Sequence, residues 1–107
     1  GGTMEAGRID ALKGMVEKDP KDAMLHYFLG NEYFKVQRYG EAIESIRMYL
    51  SRAEDEGAAY RTLAQSLERI GKISEARIAY RQGIDAASRY GHPGMAAEFE
   101  AALKELA

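Results

Sequence analysis

The stretch that decides the fold runs from Ala23 to Ala53, AMLHYFLGNEYFKVQRYGEAIESIRMYLSRA. Its apolar residues recur twice at helical spacing. His26, Leu29, Gly30 and Tyr33 form one stripe; Ala42, Ile46, Tyr49 and Leu50, at i, i+4, i+7 and i+8, form a second. Between the stripes Gln37-Arg38-Tyr39-Gly40 reads as a turn, so helices are expected over about 21–36 and 39–53. A glycine inside a helix costs about 1 kcal/mol relative to alanine. Gly30 therefore implies a second backbone close by, with Ala42 at the same level.

A shift of thirty-four residues superimposes this stretch on the one that follows. Leu29, Glu41, Ala42, Arg47 and Ala53 fall on Leu63, Glu75, Ala76, Arg81 and Ala87, while Asn31/Gln65, Lys35/Arg69, Val36/Ile70 and Arg38/Lys72 keep their chemistry. The chain is a repeat. Its second copy predicts a helix over 58–70 with Tyr60, Leu63, Ala64 and Leu67 inward, a turn at Gly71-Lys72, and a helix over 73–87 with Ala76, Tyr80 and Ile84 inward.

The period, together with Leu29-Gly30, Tyr33 three residues on and Ala42 nine further, resembles the tetratricopeptide repeat (TPR). In the second copy Ala64 replaces the glycine, Leu67 the aromatic and Gly83 an alanine, and no proline closes either repeat. The resemblance implies an all-α fold, a right-handed superhelix of antiparallel helix pairs within one domain, 1–107. Repeat one would cover 23–56 and repeat two 57–90.

The flanks fit that frame. Over 4–18, Ile9, Leu12, Met15 and Val16 make one face of an N-terminal helix in the place of a preceding half-unit. Asp19-Pro20 would end it and open the next helix, with Pro20 supplying the first helical φ and Asp19 or Asp22 accepting from the orphan amides. Glu54-Asp55-Glu56-Gly57 reads as a solvated acidic turn rather than a cation site, because no further oxygen ligand follows at a calcium-loop spacing. A capping helix is expected over 93–106, with Met95, Phe99, Ala102, Leu103 and Leu106 inward and Glu98, Glu100, Lys104 and Glu105 outward. Gly1-Gly2-Thr3 ahead of Met4 reads as an appended leader.

Composition narrows the function classes. With 107 residues, 46% hydrophobic and 30% charged, a formal charge of -2 and a pI near 5.7, the chain has no basic field for nucleic acid. It has no apolar run of membrane-spanning length and no signal-peptide layout, so a cytoplasmic, membrane-free protein is expected. Cysteine is absent, which excludes disulfides and thiolate metal sites. No H-E-x-x-H, phosphate loop or G-x-S-x-G occurs, and the chain reads as non-enzymatic, without cofactor or metal. His26 occupies a packing position of the repeat, and His92, between Gly91 and Pro93, reads as chemically inert.

Surplus aromatic surface marks the leading helix of repeat one: residues 27, 31 and 34 form a second stripe beside the inward one. In TPR domains the leading helices line a concave groove. That resemblance implies ligand contacts at Met24, Tyr27, Phe28, Asn31, Phe34 and Lys35, then at Ala58, Arg61, Thr62, Gln65, Glu68 and Arg69. Asn31 and Gln65 suit an extended backbone, and Lys35, Arg61 and Arg69 suit an acidic side chain or terminal carboxylate. The function expected is a protein-interaction module or scaffold holding a short peptide or partner helix. The alternative is self-association into a homo-oligomer through the aromatic stripe. The two-carboxylate clamp of chaperone-binding TPR domains is matched only at Asn31, with Tyr27 in place of its first lysine.

Overall fold

A computed structural model describes residues 2–106. Six helices follow in order: α1 (Gly2–Lys18), α2 (Ala23–Lys35), α3 (Tyr39–Leu50), α4 (Ala58–Arg69), α5 (Ile73–Arg89) and α6 (Pro93–Glu105). The chain is 79% helical, with no strand among the described residues. It is an all-α protein of paired helices. Gly1 of the leading Gly1-Gly2-Thr3 lies outside the described residues.

Two compact units divide the chain, Gly1–Ala53 and Glu54–Ala107. In the first, α2 packs against α1 and α3; in the second, α5 packs against α4 and α6. Helices of 12 to 17 residues are marginal alone in water, so each depends on a neighbour to cover its apolar face.

Three of the connections are built alike. Val36, Ile70 and Tyr90 end their helices, and the next residue turns left-handed: Gln37 at φ 63°, Gly71 at 80° and Gly91 at 75°. The left-handed residue donates to the carbonyl three back (Phe34, Glu68, Ser88), and its successor donates to the carbonyl five back (Tyr33, Leu67, Ala87), at 2.8–3.3 Å. This pair of bonds satisfies helix-end carbonyls and folds the chain back at once. α3 begins at Tyr39, where the second helix is expected, so Tyr39 and Gly40 open the helix and the turn itself is carried by Gln37. An exposed ion pair follows two of the turns, Arg38–Glu41 at 2.6 Å and Lys72–Glu75 at 3.9 Å.

The α1–α2 junction differs. Asp22 caps α2 by accepting from the Met24 N–H at 3.0 Å, whereas Pro20 precedes the helix rather than opening it. Its carbonyl is used instead: the buried His26 ring donates to it from Nε2 at 2.8 Å, which ties α2 to the incoming chain.

The first core joins Ile9, Leu29, Tyr33 and Ala42, with Leu12, Val16, Phe34 and Val36 packed against it. Met15, expected inward, is 50% exposed because it lies at the edge of the α1 stripe. Gly30 marks the close approach of α2 to α3: a Cβ there would lie 2.7 Å from Ile46 Cδ1 and 3.3 Å from Ser45 Cβ. In the second unit, Phe99 of α6 is fully buried and occupies the space left by Gly83, where a Cβ would lie 2.7 Å from its ring. The missing alanine at position 83 is therefore the seat of the capping helix.

Two stability outcomes follow. Gly30→Ala forces Ile46 and Ser45 aside and lowers stability by about 1–3 kcal/mol, seen as a drop of several degrees in a circular-dichroism melt. Gln37→Gly relieves a left-handed side chain and raises stability by about 0.5–1 kcal/mol, the unfolded-state entropy of glycine offsetting part of the gain. A melt in which Gln37→Gly is destabilising would show that the Gln37 side chain, not the backbone turn, matters there.

Candidate functional site

Two helix stripes of the first unit face each other across a groove. From α1 come Arg8, Ala11, Leu12 and Met15; from α2 come Phe28, Asn31, Glu32 and Lys35. Each set follows i, i+3, i+4, i+7 spacing, so the stripes run along their helices for about 10 Å at 1.5 Å per residue. The cavity between them measures about 420 Å³. Its wall is mainly apolar: Phe28 and Met15 stand 46% and 50% exposed over half-buried Leu12. Met24, one turn before Phe28 on α2, is 44% exposed.

The sequence-derived residues of α2 thus divide. Phe28, Asn31 and Lys35 line the groove. Tyr27 and Phe34 are half-buried and turn elsewhere: the Tyr27 ring lies 4.8 Å from that of Tyr49 on α3, and the Phe34 ring 5.7 Å from that of Tyr39. Much of the stripe at 27 and 34 is therefore covered within the chain by α3. Phe28 meets only the edge of this cluster, 6.0 Å from Tyr27 in a T-shaped contact.

Glu32 was missed by sequence reasoning, and it holds the groove together. It is 7% exposed. Its Oε1 accepts from Arg8 at 3.1 Å and from Lys35 at 3.3 Å, joining α1 to α2, while Oε2 is buried with no hydrogen-bond partner. Burial pushes the carboxyl up, but the hydrogen bonds and charges of Arg8 and Lys35 outweigh it and hold the group below the usual carboxylate range. An unmet buried acceptor costs about 1–3 kcal/mol. The available signal was the Glu32/Lys35 spacing of three residues combined with Arg8 on the same helical phase as Leu12 and Met15.

In the second unit the candidates on α4 have other employment. Arg61 forms a two-pronged pair with Glu98, at 2.6 and 2.8 Å, and its guanidinium lies 5.5 Å over the Phe99 ring. The Glu98 carboxyl is drawn down by that bond. Glu68 accepts from the Tyr80 hydroxyl, and burial with that bond pushes the Tyr80 phenol up. Ala58, Thr62 and Gln65 are half-buried and Arg69 is exposed on the same helix.

The acidic turn is corrected as well. Rather than only facing water, Asp55 caps α4 by accepting from the Gly57 and Ala59 N–H groups at 2.8 and 2.9 Å. Glu54 accepts from the Tyr90 hydroxyl at 2.5 Å, and Glu56 lies 2.6 Å from His92 Nε2. His92 thus links the loop before α4 to the start of α6. Among the described residues no cluster of His, Cys, Asp and Glu is arranged for a metal ion, and no helix is long and apolar enough to cross a membrane.

Comparison with known proteins bears on the fold. No protein-family model matches the chain, and no curated protein matches it. Among solved structures it is similar to protein BPP2914 from Bordetella parapertussis, with a TM-score of 0.76 at 23% identity over 92% of this chain and 85% of that one. It is also similar to MamA, with a TM-score of 0.72 at 21% identity over 95% of this chain and 68% of that one. A second MamA structure, MSR-1 C2, gives 0.67 at 16% identity over 96% and 70%. At these identities the likeness concerns the helical architecture.

The depressed carboxyl of Glu32 sets a pH dependence. A folded-state pKa below the unfolded one contributes stability above the unfolded value, about 4.3, which is lost as pH falls through the folded value. Wild type should therefore lose more stability than Glu32→Gln between about pH 6 and pH 3, read as urea midpoints across that range. Parallel curves would mean that Glu32 is not ionised and paired in the folded protein.

Proposed function

We propose that the chain is a protein-interaction module whose first unit seats a short peptide or partner helix along α2, with Phe28, Met24, Asn31 and Lys35 as the principal contacts. The observation that carries the reading is the open α1–α2 groove, where large apolar side chains remain half exposed beside two cations. Exposed aromatic and methionine surface is of the kind that partners cover, because it gives area at small entropic cost. TPR-like helical repeats commonly use leading-helix faces in this way, and the sequence resemblance and helical architecture support the same role here. An acidic group on the partner would set its register through Lys35 and Arg8, whose side chains are 57% and 48% exposed. Tyr27 and Phe34 support the surface from the α3 side. Arg61, Thr62, Gln65 and Arg69 are proposed as contacts of the second unit, Arg61 only on release of Glu98.

A peptide-display selection on the whole chain tests this, followed by titration of the best peptide into variants checked by circular dichroism. We expect binding on the order of micromolar, about -8 kcal/mol. Phe28→Ala should weaken it at least tenfold at every ionic strength, and Lys35→Glu should weaken it mainly at low salt, where screening is least. If both folded variants bind as wild type does, the surface lies elsewhere. If no peptide is enriched and light scattering shows a mass that rises with concentration, the aromatic face serves self-association instead.

A further inference from the structure

Three turns of the chain share one backbone, and their side chains are used differently. After α2, Val36 packs on the first core, the Tyr39 ring lies 5.7 Å from that of Phe34, and Arg38 is paired with Glu41 at 2.6 Å and laid 4.8 Å over the Tyr33 ring. After α5, the Tyr90 hydroxyl donates to Glu54, and His92 lies against Glu56. After α4 the apolar side chains are left in solvent. Residues 69–74 are exposed throughout, Ile70 by 44% and Ile73 by 38%, and a Cβ on Gly71 would meet nothing within 4 Å. Farther along α5, Ile78 is 53% exposed. Positive charge gathers at the same place: Arg69, Lys72, Arg77 and Arg81 stand against Glu75 alone within 69–81, in a chain whose formal charge is -2. The adjoining Glu68 carboxylate is engaged by the Tyr80 hydroxyl. Lys72 reaches Glu75 only at 3.9 Å, with its side chain 57% exposed, and Arg81 is exposed three residues from Ile78, on its side of the helix.

We propose that the α4–α5 turn is a membrane-surface contact, in which Ile70 and Ile73 enter the headgroup boundary of a bilayer containing anionic lipid. Lys72 lies between them and extends its ammonium to the lipid charges, while Arg81 and Ile78 give the same pairing of cation and aliphatic group farther along α5. Aliphatic burial and cation attraction act together at such a surface, and neither holds firmly alone. Charge by itself would suit an acidic protein equally; shape decides for lipid. The isoleucines stand on a turn exposed along six consecutive residues, which a protein would have to match with a dedicated cavity, whereas lipid closes around a convex group. Among the described residues no helix is long and apolar enough to cross a bilayer, and attachment at its surface needs none. The expectation of a membrane-free protein, drawn from the lack of a spanning run, does not bear on this contact. The contact is also independent of the α1–α2 groove, which lies in the other unit.

Sedimentation of the whole chain with vesicles tests this, comparing phosphatidylcholine alone with a two-to-one mixture of phosphatidylcholine and phosphatidylserine. The mixed vesicles should bind about tenfold more tightly than the neutral ones at low salt, and the difference should shrink as salt rises. The double variant Ile70→Ser, Ile73→Ser should lose about tenfold at every salt concentration, and Lys72→Glu should lose mainly at low salt, each checked for folding by circular dichroism. Met48→Ser, at an exposed apolar position on α3, should bind as wild type does. Because the chain has no tryptophan, Ile73→Trp gives a single reporter, whose emission should shift to the blue with mixed vesicles. The proposal is overturned if wild type does not sediment with mixed vesicles, if neutral vesicles bind it as well, or if the folded isoleucine variant binds unchanged. It is overturned in favour of an acidic protein if vesicles leave the tryptophan emission unmoved while polyglutamate binds the chain in a manner that Lys72→Glu abolishes.

Discussion

A single left-handed residue after each of α2, α4 and α5 is the constraint on which the rest depends. By turning the chain within three residues, it forces the next helix to return alongside the last, so packing partners are set by the backbone before any side chain is chosen. Gly30 and Ala42 matter because this return brings two backbones together. The exposed Gln37 takes the left-handed conformation that Gly71 and Gly91 take in the equivalent turns, with the same local hydrogen bonds.

The helices, their order and their inward stripes were legible in the sequence because a thirty-four-residue offset and a 3.6-residue period are properties of residue types alone. Gly30 as a point of contact was legible for the same reason. The direction taken by the surplus aromatics was not. Residues 27 and 28 are adjacent on a helix and about 100° apart, and both are aromatic, so composition does not tell which turns to Tyr49 and which opens toward α1. Glu32 was only faintly legible, for a different reason. A charge is buried only where partners exist, and its partner Arg8 lies twenty-four residues away on another helix. The acidic turn failed likewise, since Tyr90 and His92 reach Glu54 and Glu56 from thirty-six residues on.

The two units solve one packing problem with different donors. Tyr27 and Tyr49 of the first correspond, thirty-four residues on, to Arg61 and Gly83 of the second. In the first unit α3 supplies its own ring against α2. In the second, α5 has a glycine there and the ring comes from Phe99 of α6, with Arg61 laid across it and locked by Glu98. Paired helices with equal backbones thus differ in which helix completes them. The same substitution shifts the charge of α4 from surface to structure, because the guanidinium is held in place by an ion pair.

Gly83 and Phe99 are consequently one inherited character written at two places. A crossover between residues 83 and 99 that joined this α5 to a foreign following helix would leave a hole beside the glycine, and one that brought this α6 to a helix with a side chain at that point would collide with the phenylalanine. The shuffling unit of this half of the molecule is therefore three helices long, although the repeat visible in its letters is two.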